Sequence, residues 1–211
     1  MPRPRTHDPD RVLDAVEALA ARSGPAAVTI RAIGAATGVS NGAVYHAFGS
    51  RAGLVATAWL RAARRFLEVQ RESADGGPSP VDAADSVVAA ADAPVAFAER
   101  HPDSSRLLLA IRRDELLDAD LPAEITDQLR RIDTELIGLM TRLAAAMWDR
   151  RDAAAVDTIT TCVVDLPTAT VLSRSRLHNP TARAHLHAAV RAVLAVGPPP
   201  KCSPPPKGPN P

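Results

Sequence analysis

The side chains with the clearest binding chemistry lie close together, between residues 29 and 51. Asn41 carries an amide donor beside an amide acceptor, so it can bind the edge of an adenine through two hydrogen bonds. His46 carries ring nitrogens that can donate or accept a hydrogen bond, and Arg51 adds a permanent positive charge. Tyr45 is the only tyrosine of the chain. Together these groups offer hydrogen bonding and charge to a polar partner.

Two short helices joined by a tight turn are predicted to position these side chains. The first is Ile30–Thr37, for which Thr29 is the predicted N-cap. Gly38 follows it, at a position where the left-handed conformation costs glycine least. Ser40 is then the predicted N-cap of the second helix, Asn41–Phe48.

The second helix has an inner and an outer side. Val44 and Phe48 lie four residues apart and are predicted to pack inward. The outer faces keep small and polar residues, namely Asn41, Gly42, Ala43, Tyr45 and His46. Such a helix pair is a helix-turn-helix, whose second helix can enter a DNA major groove with its N-terminal residues at base edges.

The stretch VTIRAIGAATGVSNGAVYHAFGSRAGL resembles the DNA-binding head of the TetR family of transcriptional regulators. The matching features are the Thr-x-x-x-Ile start, Gly38-Val39-Ser40, Val44-Tyr45, Phe48 and the Ser50-Arg51 cap. They cover about the first third of the chain, and the remainder resembles the family only in architecture. The resemblance implies a homodimeric repressor that binds double-stranded DNA at a palindromic operator and is released by a small-molecule effector.

The resemblance also assigns DNA contacts to matching positions of this sequence. The residues that would face the groove are Ser40, Asn41, Gly42, Ala43 and, one turn on, His46. Ala43 can touch a thymine methyl group, whereas Gly42 only lets the backbone approach. Thr29, Tyr45 and Arg51 match the positions that clamp phosphates.

Some positions depart from the family pattern. Ala47 stands where a polar residue is common, and Arg51 replaces a common lysine. Gly42 and Gly53 are each expected to weaken a helix by up to about 1 kcal/mol relative to alanine. These departures leave an alternative function, a helical ligand-binding or interaction protein whose head no longer reads DNA.

Composition favours a soluble, all-α protein. Alanine, leucine and arginine dominate the 211 residues, and aromatic residues make up only 3%. We find no run of about 18 apolar residues without a charge, and residues 1–10 lack the apolar core of a secretory signal. Cys162 and Cys202 are too few for a disulfide framework. We therefore expect a cytoplasmic protein that does not insert into a membrane.

Catalytic residues, metal ligands and cofactors are not expected. The sequence lacks a glycine-rich phosphate loop after a strand. His185 and His187 are two residues apart, which points them in different directions on a helix. Cys162 has no neighbouring histidine and is predicted to be a small buried apolar side chain.

Charge is distributed unevenly along the chain. Residues 1–71 carry ten arginines against five acidic residues, whereas residues 72–197 carry thirteen arginines against nineteen acidic residues. A basic head suits phosphate contact. Four of these arginines, Arg61, Arg64, Arg65 and Arg71, lie outside the apolar stripe of their helix and are expected on a solvated face.

The remaining sequence reads as further helices. They are predicted over residues 9–23, 50–72, 81–100 with a kink or break at Pro94, 103–114, 122–148, 152–176 with a kink at Pro167, and 180–196. We expect a disordered basic arm at 1–7, a DNA-binding domain at 8–72, a regulatory and dimerisation domain at 80–197, and a disordered proline-rich tail at 198–211. The family architecture implies that the last two long helices form the dimer interface.

An effector site is only weakly indicated by the sequence. Candidate lining residues are Phe97, Met140, Trp148, Asp165 and Thr168. Asp165 and Thr168 flank Pro167, which frees backbone carbonyls for polar recognition. However, they share a helix face with Asp157 and Thr161, and a solvated face explains that pattern more simply. The Arg112-Arg113-Asp114 run fits either a buried network or a surface turn.

Overall fold

The computed structural model describes residues 8–76 and 82–200, and all regular elements in these ranges are helices. In order they are α1 (Pro9–Ser23), α2 (Ile30–Thr37), α3 (Asn41–Phe48), α4 (Arg51–Asp75), α5 (Ala83–Arg100), α6 (Pro102–Ala110), α7 (Arg113–Leu117), α8 (Ala123–Trp148), α9 (Ala153–Thr160) and α10 (Pro180–Val196). A 3-10 turn, Pro25–Ala27, separates α1 from α2. The all-α prediction is confirmed. The arm at 1–7 and the tail from residue 201, with Cys202, lie outside the described residues.

The chemistry of the predicted N-caps explains where the helices of the head begin. The hydroxyls of Thr29 and Ser40 accept from the backbone N–H groups of Ala32 and Ala43, at 3.1 and 3.2 Å. Ser50 caps α4 in the same way, accepting from the Gly53 N–H at 3.0 Å. Each cap satisfies a first-turn donor that has no partner within the helix.

Two apolar cores hold the helices together. The first lies among α1 to α4 and continues into α6, α7 and the first half of α8, through residues such as Leu54, Leu107 and Leu129. The second joins α5, the second half of α8, α9 and α10, through residues such as Met140 and Leu186. Because the first core includes residues of α6 and α8, the head packs directly on the body.

The helix predicted over residues 103–114 is shorter than expected. α6 ends at Ala110, and Ile111 is extended, with φ −129° and ψ 121°. The carbonyl oxygen of Ile111 accepts from the indole N–H of Trp59 at 3.1 Å, a buried tertiary hydrogen bond that competes with continuation of the helix. In the short α7 that follows, Arg113 pairs with Asp133 of α8, whereas the Arg112 side chain is 78% exposed.

The two internal prolines have different effects. A kink or a break was predicted at Pro94, and α5 continues through this proline without a break. Around Pro167 the irregularity is larger, because two π-helical segments, Thr161–Asp165 and Thr168–Leu172, flank the proline. A proline removes one helical N–H, and π-helical bonding is one way for a helix to continue past it.

The helix formed by α9 and the π-helical segments is the most apolar in the structure. Ala153–Leu172 is long and apolar enough to cross a membrane by length and composition, and 33% of its most apolar stretch is buried in the fold. The core helix of a soluble protein meets the same criteria. Ile159 and Cys162 are fully buried in the second core, whereas Asp157 and Asp165 are exposed. The predicted solvated face is therefore confirmed.

The expectation that the arginines of α4 are solvated is wrong for Arg61. Its side chain is only 13% exposed, and its guanidinium lies 2.7 Å from Glu17 and 2.7 Å from Asp14 on α1. Burial works to lower the pKa of Arg61, but hydrogen bonds and charges from Glu17 and Asp14 outweigh it and leave the pKa raised. The Glu17 carboxylate also accepts hydrogen bonds from Arg65 at 3.3 Å and from the Ser104 hydroxyl of α6 at 2.5 Å.

The other two arginines also form contacts that the sequence did not predict. Arg71 pairs with Glu135 of α8 at 2.9 Å. Arg64 donates to Gln128 at 3.0 Å but stays exposed, as expected. The α4 arginines thus hold α4 against α1 and α8, and their charge is largely balanced within the fold.

Cys162 is fully buried, as predicted, and burial raises the pKa of its thiol from 9.0 to about 11. At pH 8 we expect it to react with a thiol reagent at least about a hundredfold more slowly in the folded chain than in the denatured chain. A Cys202→Ser background isolates the signal of Cys162. Because the pKa of the Cys162 thiol is higher in the folded chain than in the unfolded chain, the neutral thiol contributes stability below pH 9. This contribution is lost as the pH rises from 9 towards 11. Labelling as fast as in denaturant would contradict the buried position.

Candidate nucleic-acid interface

The turn between α2 and α3 has the geometry of a helix-turn-helix. Gly38 adopts the left-handed conformation, with φ 74° and ψ 8°, and its N–H donates to Gly34. The Thr37 hydroxyl donates to the Ile33 carbonyl at 2.8 Å and accepts from the Val39 N–H at 3.3 Å. These bonds end α2 and turn the chain within three residues, as the sequence predicted.

α3 packs on the head by one side and exposes the other. Val44 is 1% and Phe48 is 9% exposed, so both lie in the first core. On the outer side the exposed residues are Asn41, Gly42, Tyr45, His46 and Ala47, with Ala43 half-buried. Tyr45 is 62% exposed, which is unusual for a large aromatic side chain. The face that was predicted to contact bases is therefore open to a partner.

Asn41 lies partly against α2, a position that the sequence analysis missed. A Cβ atom built on Gly34 would meet the Asn41 side-chain oxygen at 2.5 Å and the Val39 carbonyl at 2.9 Å. Only glycine at residue 34 allows α2 and α3 to approach this closely with the amide between them. A glycine inside an apolar helix was the available signal.

The hydroxyls of Thr29 and Ser40 are exposed at the starts of α2 and α3. Each accepts one backbone N–H as an N-cap, which leaves the hydroxyl hydrogen free to donate outward. Helix N-termini carry a partial positive charge that favours anions. These two positions can therefore donate to phosphate oxygens while they cap.

Arg51 makes contacts that the sequence did not predict. Its Nε donates to the Val28 carbonyl at 2.5 Å, and one terminal nitrogen donates to the Pro25 carbonyl at 2.6 Å. The guanidinium therefore ties the start of α4 to the segment before the Thr29 cap. Three of its five N–H donors are left for other partners.

Two further cations of the head were missed as candidate phosphate contacts. Arg22, near the end of α1, and Arg31, in the first turn of α2, are exposed, and neither enters an ion pair between residues that the structure describes. Arg31 lies opposite the inward Ile30 and Ile33, which is the signal that could have identified it.

Gly53 was expected to weaken α4 relative to alanine, and the structure reverses that expectation. A Cβ atom there would overlap the Phe48 carbonyl oxygen at the α3–α4 junction. Gly42 has open space around its Cα, so glycine is still expected to weaken α3 relative to alanine at that position.

The candidate effector residues are dispersed in the body. Phe97 lines a pocket of ≈ 170 Å³ together with Phe66, Pro94, Ser105, Leu108, Leu109 and Leu172. Met140 is 1% exposed within the second core. Trp148 is half-buried at the end of α8, near Gly197. Asp165 and Thr168 are exposed on the outer side of their helix, so they do not meet Phe97 in one site.

Comparison with known proteins supports the resemblance seen in the head. Residues 12–58 match the family model of bacterial regulatory proteins of the tetR family. Among curated proteins, none matches this sequence.

Solved structures resemble the chain over nearly its whole length. A TetR-family transcriptional regulator from Thermus thermophilus is 15% identical, with a TM-score of 0.64 over 88% of this chain and 98% of that one. A tetR-family regulatory protein from Rhodococcus is 22% identical, with a TM-score of 0.61 over 91% of this chain and 98% of that one. The ketosteroid transcriptional regulator of Mycobacterium tuberculosis is 16% identical, with a TM-score of 0.59 over 91% of this chain and 95% of that one. The chain thus has a TetR-type head and the fold of TetR-family transcriptional regulators.

Proposed function

We propose that this chain is a sequence-specific DNA-binding transcriptional regulator that acts as a ligand-released repressor in the cytoplasm. The observation that carries the proposal is the open outer face of α3, where Asn41, Tyr45 and His46 are exposed while Val44 and Phe48 anchor the helix. A helix held in this way can enter a major groove as one rigid piece.

Residues at the interface divide into base readers and phosphate contacts. Asn41 and His46 present side chains to base edges, with Ser40, Gly42 and Ala43 allowing close approach. Thr29 and Tyr45 donate hydroxyl hydrogens to phosphates, and Arg31 adds charge beside the Thr29 cap. Arg51 acts mainly by holding the Thr29 cap in place through Val28 and Pro25.

Dimerisation through the last two long helices is supported by an open groove between them. The groove, of ≈ 390 Å³, is lined by Asp157, Thr158 and Thr161 on one helix and by Ala192, Val193, Val196 and Gly197 at the end of α10. Val196 is 87% exposed. A second copy that covered this face would carry a second α3, and two recognition helices about one DNA turn apart suit a palindromic operator.

Release by an effector is supported by the position of α6. Ser105, Leu108 and Leu109 line the pocket in the body. On the same helix, Ser104 donates to the head residue Glu17, and Leu107 packs in the first core. A molecule in the pocket that shifted α6 would therefore act directly on α1.

One alternative is favoured by specific contacts. Arg51 donates two of its N–H groups to backbone carbonyls, and the Asn41 side chain lies against Gly34, so one cation is partly engaged and one base reader is partly covered. These contacts suit a helical ligand-binding or interaction protein whose head has lost specific DNA binding.

A mobility-shift titration on the DNA beside the gene of this protein separates the two functions. We expect salt-sensitive, sequence-specific binding by a dimer, because clamped phosphates release counterions. Binding that is absent, or equal on unrelated DNA, would support the alternative.

A further inference from the structure

The pocket between α4, α5 and α6 has a defined size and an aromatic wall. Its volume is ≈ 170 Å³. Phe66 and Phe97 stand edge to face across the helices, with ring centroids 5.4 Å apart and an interplanar angle of 77°. Leu172, the last residue of the second π-helical segment, closes another side. A volume of about 150 Å³ is enough to hold a molecule of the size of benzene.

The wall of this pocket is electrically neutral. Among the residues that the structure describes, its lining comprises two phenylalanines, three leucines, a proline and a serine. Arg65, the charged neighbour of Phe66 on α4, is engaged elsewhere, since it donates to Glu17 at 3.3 Å. An anion or a cation that entered would lose its hydration without gaining a counter-charge.

One polar group of the lining has no partner. Ser105 is 7% exposed, and its hydroxyl forms no hydrogen bond with any residue that the structure describes. The hydroxyl oxygen is accessible from the pocket and not sealed in the core, so a ligand in the pocket can hydrogen-bond to it. Its backbone N–H already donates to the His101 carbonyl at 2.9 Å, so the side chain alone is available.

We propose that this pocket binds a neutral, single-ring aromatic molecule that carries one hydroxyl group, with the ring against Phe66 and Phe97 and the hydroxyl on Ser105. This ligand class rests on the proposed regulator, whose effector it names. The aromatic pair provides edge and face contacts for a third ring. Leu109, which is 51% exposed, marks the side from which the ligand enters.

Titration of the full chain with phenol, benzene and benzoate tests the proposal, with leucine methyl NMR shifts as the readout. Phenol is expected to bind more tightly than benzene and at least about tenfold more tightly than the benzoate anion. Ser105→Ala is expected to weaken phenol about fivefold while leaving benzene unchanged, because one neutral hydrogen bond is lost. Leu108→Phe, which fills the pocket, should weaken both ligands.

Other results would overturn the ligand class. Failure of phenol to shift the methyl signals, tighter binding of benzoate, or equal weakening of phenol and benzene by Ser105→Ala each contradicts it. These titrations contain no DNA, so a failure here leaves operator binding to be judged by the mobility shift. Conversely, phenol binding by a chain that ignores DNA would overturn the regulator but not the pocket.

Discussion

Replacing Arg61 with methionine is expected to lower the free energy of unfolding by about 3 kcal/mol. Glu17 is 4% exposed, and Arg61 is its closest cation, with two guanidinium nitrogens at 2.9 and 2.7 Å from the carboxylate. Without Arg61 the carboxylate keeps only Arg65 and Ser104 and remains buried with less counter-charge. Breaking a buried pair from one side is far more costly than replacing both partners, because one desolvated charge is left behind.

Two controls make this result specific to the ion pair. Arg64→Met changes an exposed arginine of the same helix and should cost less than about 0.5 kcal/mol. Arg61→Met combined with Glu17→Leu should recover most of the loss, because no buried charge remains. Denaturant titrations at one fixed chain concentration compare the variants, since the proposed dimer would make stability concentration-dependent. Equal losses for Arg61→Met and Arg64→Met would show that the network is not a buried structural element.

Gly53→Ala and Gly42→Ala are expected to have opposite effects, although both exchange glycine for alanine in a helix. At residue 53 the new methyl group would overlap the Phe48 carbonyl, so α3 must move relative to α4, at a cost of about 2–3 kcal/mol. At residue 42 nothing lies within 4 Å, and alanine should stabilise α3 by about 0.5–1 kcal/mol.

The two variants are matched in chemistry, so their difference reports the packing of α3 on α4. Thermal and denaturant unfolding of both measure it. Stabilisation by both substitutions would mean that helix propensity alone determines the change in stability. It would also mean that the α3–α4 junction is packed less tightly than the structure describes.

Most helix boundaries could be predicted because local chemistry determines them. Thr29, Ser40 and Asn179 cap the helices that the sequence assigned to them. Gly38 ends α2 in the left-handed conformation, as glycine permits. These signals need no knowledge of the rest of the fold.

What sequence reasoning missed depends on tertiary contacts. Arg61 looks solvated on its own helix, and only the packing of α1 on α4 brings Glu17 to it. α6 ends early because Trp59, 52 residues away, binds the Ile111 carbonyl. The same limit applies to the proposed effector pocket, since Phe97 was identifiable as an apolar residue but Phe66, Ser105 and Leu172 converge on it only in the fold.

Among the residues of the proposed interface, Tyr45 is better suited to substitution than Arg51. Arg51 donates to the Val28 and Pro25 carbonyls beside the Thr29 cap, so a change at Arg51 would combine loss of a proposed DNA contact with loss of structure. Tyr45 is 62% exposed and can be changed with little effect on folding.

The salt dependence of DNA affinity, measured for the intact chain and for Tyr45→Phe on one operator, tests the central claim most directly. The intact chain should bind its operator far more tightly than unrelated DNA, with affinity falling steeply as salt rises. Tyr45→Phe should weaken binding at least about tenfold, because a hydrogen bond to a charged phosphate is lost. Ile137→Ala, at an exposed position of α8, serves as the control and should change nothing. Operator affinity that is insensitive to Tyr45, or no preference for any DNA sequence, would contradict a DNA-reading α3.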